Sequence, residues 1–368
     1  MPILAVFLVL AATAAFFEIL YNKFWDYGLH ADVNWEDTEL TEGSFTKVTE
    51  RLENRKWLPM AVVNIKFKID KSFEYLSDEN SSRTDYSYRS DSMALLPYQR
   101  VMRTFEVSAV KRGYYELDAV EVVSTGIFYG QVLAKTFSLE KGIFVYPRNS
   151  RHPVVVEACQ RIMGSVVNKY VMQEDPFEFR GIREYTRTDP RNKINWKSSA
   201  RSNSLKVNQF FSTHEPYIVL LLSVEMESML FFENLIEESI RVVRNFVEKC
   251  LKMGIPVKII SNAVDKITGK QIIVETGGSQ NHLNTILKKL AVLDARTTVK
   301  PMAELIGDLR EEGNPYYILL SSCQRPELQT AFETLAEGKG EWMIFRHYDM
   351  KETAESDSIP ITYVEVEW

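Results

Sequence analysis

The chain has 368 residues, too many for one ordinary hydrophobic core, so two folded domains are expected. Hydrophobic residues make up 45% of it, enough to fill both, and 44 Lys+Arg against 50 Asp+Glu leave a net charge of -6, without the basic excess of a nucleic-acid binder. Cys159, Cys250 and Cys323 stand far apart, and the 5 histidines form no His or Cys cluster; zinc and dithiol redox chemistry lack their residues, and no cofactor is expected.

The first element is "PILAVFLVLAATAAFFEIL", residues 2–20, almost wholly apolar and as long as one bilayer-spanning helix requires. Tyr21, Phe24, Trp25 and Tyr27 follow with Lys23, the aromatic and snorkelling side chains of a headgroup boundary. Ala12 to Ala15 offer small residues to a signal peptidase. No Lys or Arg precedes the run, however, and it continues through Phe16, Phe17, Ile19 and Leu20, which favours a retained single-pass anchor in the cell membrane. Lys23 on the far side tilts the positive-inside bias towards a cytoplasmic body.

From about Asp32 to Arg148 short runs alternate with period 2. In "VNIKFKID", Val63, Ile65, Phe67 and Ile69 share one face and Asn64, Lys66, Lys68 and Asp70 the other, as in a half-buried antiparallel strand. "VMRTFEVSAV", "YYELDAVEVV" and "KGIFVYP" extend the pattern to a β-sandwich, and the polar stretch 77–92 is expected as an exposed loop. Beyond residue 214 strands and helices alternate. "YIVLLLS" reads as a strand buried on both faces, and Phe232, Leu235, Ile236, Ile240, Val243, Val247, Cys250 and Leu251 form one helical stripe after it. Further strand–helix alternation predicts a doubly wound, mainly parallel sheet. The fold class is therefore α+β multidomain: anchor and flank 1–30, antiparallel β-sandwich 31–150, linker and motif 151–214, and α/β sheet 215–368.

No glycine-rich phosphate loop or nucleophile elbow precedes any of these helices. Ser223, Glu225, Glu227 and Ser228 follow the first buried strand, where ligands of open α/β sheets bind, and could offer oxygens to a divalent cation; a solvated loop is the simpler reading. The densest polar motif is "GIREYTRTDPRNKINWKSSAR", residues 181–201. Its Arg183, Arg187, Arg191, Lys193, Lys197 and Arg201, with Lys206 beyond, suit a nucleic-acid patch, with Tyr185 and Trp196 for stacking. Asp175, Glu178, Glu184 and Asp189 dilute that field, so no nucleic-acid partner is expected. Asp189 is an acid without a neighbouring nucleophile or histidine, so no catalytic residue is assigned. A brace between domains or a protein-docking surface, built by Arg–carboxylate pairs and stacking on Trp or Tyr, fits better.

These residues resemble the bacterial and archaeal domain of unknown function fifty-eight family, whose hallmark is Arg-x-Tyr, then Gly-Asp-x-x-Arg-x-Ile-x-Trp, then Ala-Arg. Arg183 and Tyr185 match the pair. Asp189, Arg191 or its neighbour, Ile194 and Trp196 match the centre, and Ala200 and Arg201 the end; Thr188 stands where the family has Gly. "ENRKWLPMAVV", "LLPYQRV", "KRGYYEL" and "IFVYPR" are similar to its sandwich landmarks. The resemblance implies a membrane anchor, a β-sandwich and a von Willebrand factor A-like C-terminal sheet. It also implies genes encoded near MoxR-type AAA+ ATPases, von Willebrand A proteins and transglutaminase-like membrane proteins. Metal-binding von Willebrand A domains end their first strand in Asp-x-Ser-x-Ser. Ser223, Glu225 and Glu227 occupy those spacings, so the leading Asp is lost and no metal is expected. The expected function is a non-enzymatic membrane-anchored scaffold that docks such an ATPase in assembling or activating envelope complexes. The alternative is an enzyme of cell-envelope polymer metabolism acting through the polar motif.

Overall fold

The computed structural model describes residues 2–76, 81–83, 86–126, 131–171, 179–186, 191–202, 204–210, 217–227, 232–311, 313, 315–350 and 354–367. The chain divides into two compact units, Met1–Arg148 and Asn149–Trp368.

The first unit opens with helix α1 (Pro2–Phe24). Among the described residues ten strands follow: β1 (Leu29–Trp35), β2 (Glu39–Thr41), β3 (Phe45–Asn54), β4 (Met60–Asp70), β5 (Phe73–Tyr75), β6 (Ser81–Arg83), β7 (Tyr86–Leu95), β8 (Arg100–Ala109), β9 (Gly113–Thr125) and β10 (Val132–Tyr146). They form a four-stranded sheet, β1-β3-β8-β5, and a six-stranded sheet, β2-β10-β9-β4-β7-β6. Val33, Val48, Leu52 and Val107 of the first join Val63, Ile65, Phe67, Val120 and Ile143 of the second in one buried core. The alternation read from β4 is the observed one, with Val63, Ile65, Phe67 and Ile69 buried.

Residues 77–92, expected as an exposed loop, instead supply β6 and most of β7, which pairs antiparallel with β4; residues 77–80 and 84–85 lie outside the described set. Two inward positions of β7, Arg89 and Asp91, are ionic, and apolar Met93 and Leu95 come only at its end, so no apolar period reveals the strand. Arg89 and Asp91 are buried and paired, Nε to Oδ2 at 2.6 Å, and Arg103 of β8 reaches Asp91 Oδ1 at 3.4 Å. The Arg89 guanidinium lies 3.5 Å from the Phe105 ring centre, a stacked cation on an aromatic face. Glu50 of β3 sits directly opposite Arg103, in an inward position between Val48 and Leu52.

In the second unit α2 (Pro153–Val171) fills much of the stretch expected as a linker. Its Val155, Ala158, Cys159, Ile162, Met163 and Val166 are buried against the α/β core. Arg161 reaches from α2 to the buried Glu341, which also accepts from Thr362 at 2.7 Å. Then come β11 (Phe179–Glu184), α3 (Trp196–Ser202), β12 (Lys206–Phe210), β13 (Ile218–Leu222), α4 (Glu233–Lys252), β14 (Val257–Asp265), β15 (Gln271–Gly277), α5 (Gln280–Val292) and β16 (Leu293–Thr298). The chain ends with α6 (Met302–Asp308), β17 (Tyr316–Ser321), α7 (Pro326–Ala336), β18 (Gly340–Arg346) and β19 (Ile361–Glu365). The main sheet runs β15-β14-β13-β17-β18-β19, with β16 also pairing with β14. β13, β14, β17, β18 and β19 are parallel, and β15 and β16 run antiparallel to β14. Ile218, Leu220 and Leu222 of β13 point into one core with α2, α4 and α5, whereas Val219 and Leu221 point into a second with α6 and α7. A central strand covered on both faces must be apolar throughout, as the sequence pattern implied.

Both Glu50 carboxylate oxygens are buried without a hydrogen-bond partner. Burial, reinforced by Asp91 and opposed by Arg103 and Arg89, pushes its pKa from the ordinary 4.5 up to about 7. The folded chain therefore holds this proton more tightly than the unfolded chain. The stability it contributes is full below about pH 4.5 and is lost as pH rises towards 7, by roughly 3 kcal/mol. Glu50→Gln is expected to raise the melting temperature at pH 8 and to narrow the difference in melting temperature between acid and neutral solution. An unchanged pH profile contradicts this.

Candidate functional site

Strand order reverses at β13, whose neighbours lead away on both sides, and the crevice beyond its carboxyl end is where an open α/β sheet places ligands. Ser223, Val224 and Glu225 enter this crevice directly from β13. The Ser223 amide bonds to the Leu320 carbonyl at 2.9 Å, and the Val224 amide to Asn262 Oδ1 at 3.0 Å. Asn262 is buried and donates through Nδ2 to Glu225 Oε1 at 2.8 Å; the same oxygen accepts from the Met302 amide at 2.6 Å, at the start of α6. Glu225 thus ties β13, β14 and α6 together, and Glu227 is exposed. On the β17 side, Ser321 Oγ donates to the Cys323 carbonyl at 2.9 Å and accepts from the Trp342 indole at 2.8 Å. Among the described residues no group of three or more His, Cys, Asp or Glu is arranged to hold a cation.

Thiol-based nucleophilic chemistry would need an ionisable cysteine, yet burial raises all three, Cys159 and Cys250 to about 12. A thiol held protonated this way is inert.

The signature motif folds as a small separate platform. β11 and β12 pair antiparallel, with Arg183 opposite Val207 and Glu184 opposite Lys206. A single 3-10 turn, Arg191–Lys193, and α3 lie between them in sequence, and Ile194 bridges to Val207. Three residues outside the expected set hold this platform. Asn195 caps α3, its Oδ1 accepting from the Ser198 amide at 2.9 Å, while its Nδ2 donates to Asn208 Oδ1 at 2.7 Å. Ser199 Oγ donates to the Asn195 carbonyl at 2.8 Å and accepts from the Lys206 amide at 2.8 Å, stitching helix to strand. An Asn immediately before a helical run is a cap signal, and is the feature by which Asn195 could have been found.

The residues of the expected site fall unevenly on this platform. Tyr185 is half-buried, its amide bonded to the Leu205 carbonyl at 2.8 Å. Arg183, Arg191 and Arg201 are at the surface, and Trp196, the first residue of α3, is 68% exposed. Within its own unit the platform leaves these side chains at the surface. Asp189 lies outside the described residues, together with Arg187 and Thr188.

No protein-family model matches the chain. It is similar to the uncharacterized protein YeaD of Bacillus subtilis, 24% identical over 261 residues, which are 70% of this chain and 60% of that protein. Among solved structures it aligns with a CARDB domain from Pyrococcus furiosus at 10% identity and a TM-score of 0.21, over 32% of this chain and 91% of that one. It also aligns with Escherichia coli alpha-2-macroglobulin at 13% identity and 0.26, over 32% and 23%, and with the sporulation control protein Spo0M of Bacillus subtilis at 13% and 0.20, over 43% and 58%.

Replacing Glu225 by Ala strands the Asn262 amide and the Met302 N–H without their acceptor. A loss of about 1–3 kcal/mol in unfolding free energy is expected, read by denaturant titration of the variant. A change below about 0.3 kcal/mol would show that the carboxylate does not hold the crevice together.

Proposed function

We propose that the chain is a membrane-anchored, non-enzymatic scaffold that docks a protein partner through the β11–α3–β12 platform. The observation that carries this is Trp196: a large indole 68% exposed on a platform that its own hydrogen bonds make rigid, with Arg183, Arg191 and Arg201 also exposed. Trp and Arg are the side chains that most often dominate binding energy at protein interfaces, and a pre-organised loop loses little entropy on docking. The internally bonded crevice at the sheet's switch point supports a non-catalytic reading of the α/β unit. Its von Willebrand A-like character is supported by the doubly wound strand order and by Ser223, Glu225 and Glu227 at the spacing of that domain's metal motif.

The anchor is α1, a helix long and apolar enough to cross a membrane, a test that a signal sequence also passes. Exposed Phe16, Phe17 and Ile19, beyond any cut at Ala12 to Ala15, support its retention, and Lys23 supports a cytoplasmic body. The partner implied by the family resemblance is a MoxR-type AAA+ ATPase, with von Willebrand A and transglutaminase-like membrane proteins as further members of the assembly.

The test is affinity of the full chain, in nanodiscs, for the purified MoxR-type ATPase of the same host. Trp196→Ala and Arg201→Ala are each expected to weaken it at least tenfold while leaving the melting temperature within about 2 °C, as exposed side chains should. Undiminished affinity in both variants, or no binding by the unaltered chain, overturns the proposal.

A further inference from the structure

The end of the sandwich from which α1 emerges has its own surface chemistry. Four pieces of chain meet there. β1 begins at Leu29, opposite Asn54 at the end of β3, and Glu53 faces Arg100 at the start of β8. Met60 at the start of β4 faces Leu95 at the end of β7, and Thr125 faces Val132 across the β9–β10 turn. The β3–β4 and β7–β8 turns are knitted to the root of α1 and to each other. The Arg55 amide bonds to the Gly28 carbonyl at 2.8 Å, the Tyr98 amide to the Lys56 carbonyl at 3.2 Å, and Asn54 Nδ2 to the carbonyls of Leu58 and Leu96 at 2.9 and 3.0 Å.

On this fixed frame the turns present apolar side chains to the outside: Trp57 is 64% exposed, Leu96 63% and Tyr98 71%. Tyr98 does so from φ 56°, a left-handed backbone that glycine adopts at least cost, so a bulky aromatic stands where turn geometry alone would select glycine or asparagine. Beside them Glu53 takes ion pairs from Arg51, Arg55 and Arg100 at 2.8, 3.2 and 3.1 Å, three guanidinium groups on one carboxylate. Exposed Trp and Tyr with surplus positive charge, set at the foot of an apolar helix, match the layer of lipid phosphates and glycerol esters.

We propose that this end of the sandwich seats in the lipid headgroup layer, with Trp57, Leu96 and Tyr98 as interfacial anchors and Arg55 and Arg100 towards the lipid phosphates. The proposal rests on α1 spanning the bilayer. It makes the sandwich a membrane-seated base rather than a body hanging from a tether, and it fixes which end of the sandwich faces away from the lipid.

The native cysteines are buried, which leaves an introduced one as the site of spin labelling. The full chain carrying Leu10→Cys, Trp57→Cys, Tyr98→Cys or Phe45→Cys is labelled in nanodiscs of phosphatidylcholine and phosphatidylglycerol, and collision with oxygen and with a water-soluble nickel chelate is measured. Phe45, exposed at the opposite end of β3, is the aqueous reference. Position 10 is expected in hydrocarbon, and positions 57 and 98 at headgroup depth, with nickel access at least threefold below position 45. Nickel access at 57 and 98 equal to that at 45, with position 10 in hydrocarbon, overturns this proposal and leaves the anchor standing. Position 10 in water overturns both.

Discussion

Lys56 carries its ammonium into the sandwich and donates to the carbonyl of Trp25, one residue beyond the last turn of α1, with Met60 Sδ at 3.6 Å. Burial pulls its pKa down to about 8, against the attraction of Asp26. An ammonium is withdrawn from water at that expense only where it completes something, and here it meets the Trp25 carbonyl at the negative pole of the helix dipole. Tyr21 and Trp25 pack in the same core as the strands, and Tyr21 Oη lies 3.2 Å from Ser124 Oγ. Asn22 donates to Gln131 at 3.0 Å and Asp26 pairs with Lys135 at 3.1 Å. A Cβ at Gly126 would meet the Glu18 carboxylate, the movable end of its side chain, so the residue after β9 lies beside the helix. The helix and the sandwich are one folded object, and whatever holds the helix holds the sandwich at a set angle.

Polar groups elsewhere are used in the same way, as internal joints. Glu225 joins two strands and a helix at the position where a nucleotide- or metal-binding sheet would spend its side chains on ligand. Asn195 and Ser199 join a short helix to a strand, and leave Trp196 outside. Such arrangements fix geometry, which suits the scaffold role proposed above. The Arg89–Asp91–Glu50 cluster is the exception, since Glu50 has no hydrogen-bond partner and contributes a pH-dependent strain to the sandwich core.

The parts of this fold legible in the sequence are those whose burial follows one period. α1, β4, α4 and β13 show uninterrupted apolar runs or clean stripes, and the structure places them as read. β7 is illegible because its inward face carries Arg89 and Asp91, paired within the strand and reached by Arg103 of β8, and buried ion pairs leave no apolar signature. The stripe of α2, at residues 155, 158, 159, 162, 163 and 166, has helical spacing and was open to reading, although its position beside the polar motif suggested a linker. At the motif, side-chain type pointed to Arg183, Arg191, Trp196 and Arg201, but not to whether they would be buried. Exposure depends on Asn195, Ser199 and Asn208, whose contacts are made across the platform and have no sequence period.

The central claim is that the foot of α1 is part of the sandwich core and not a flexible tether. Hydrogen exchange of the full chain in nanodiscs tests it most directly, at the amides of residues 20–29, which include Leu29 paired to Asn54. The account predicts protection there equal to that of β3 and β4 and lost with them in one cooperative opening. Fast exchange across residues 20–29 while β3 and β4 stay protected would contradict it.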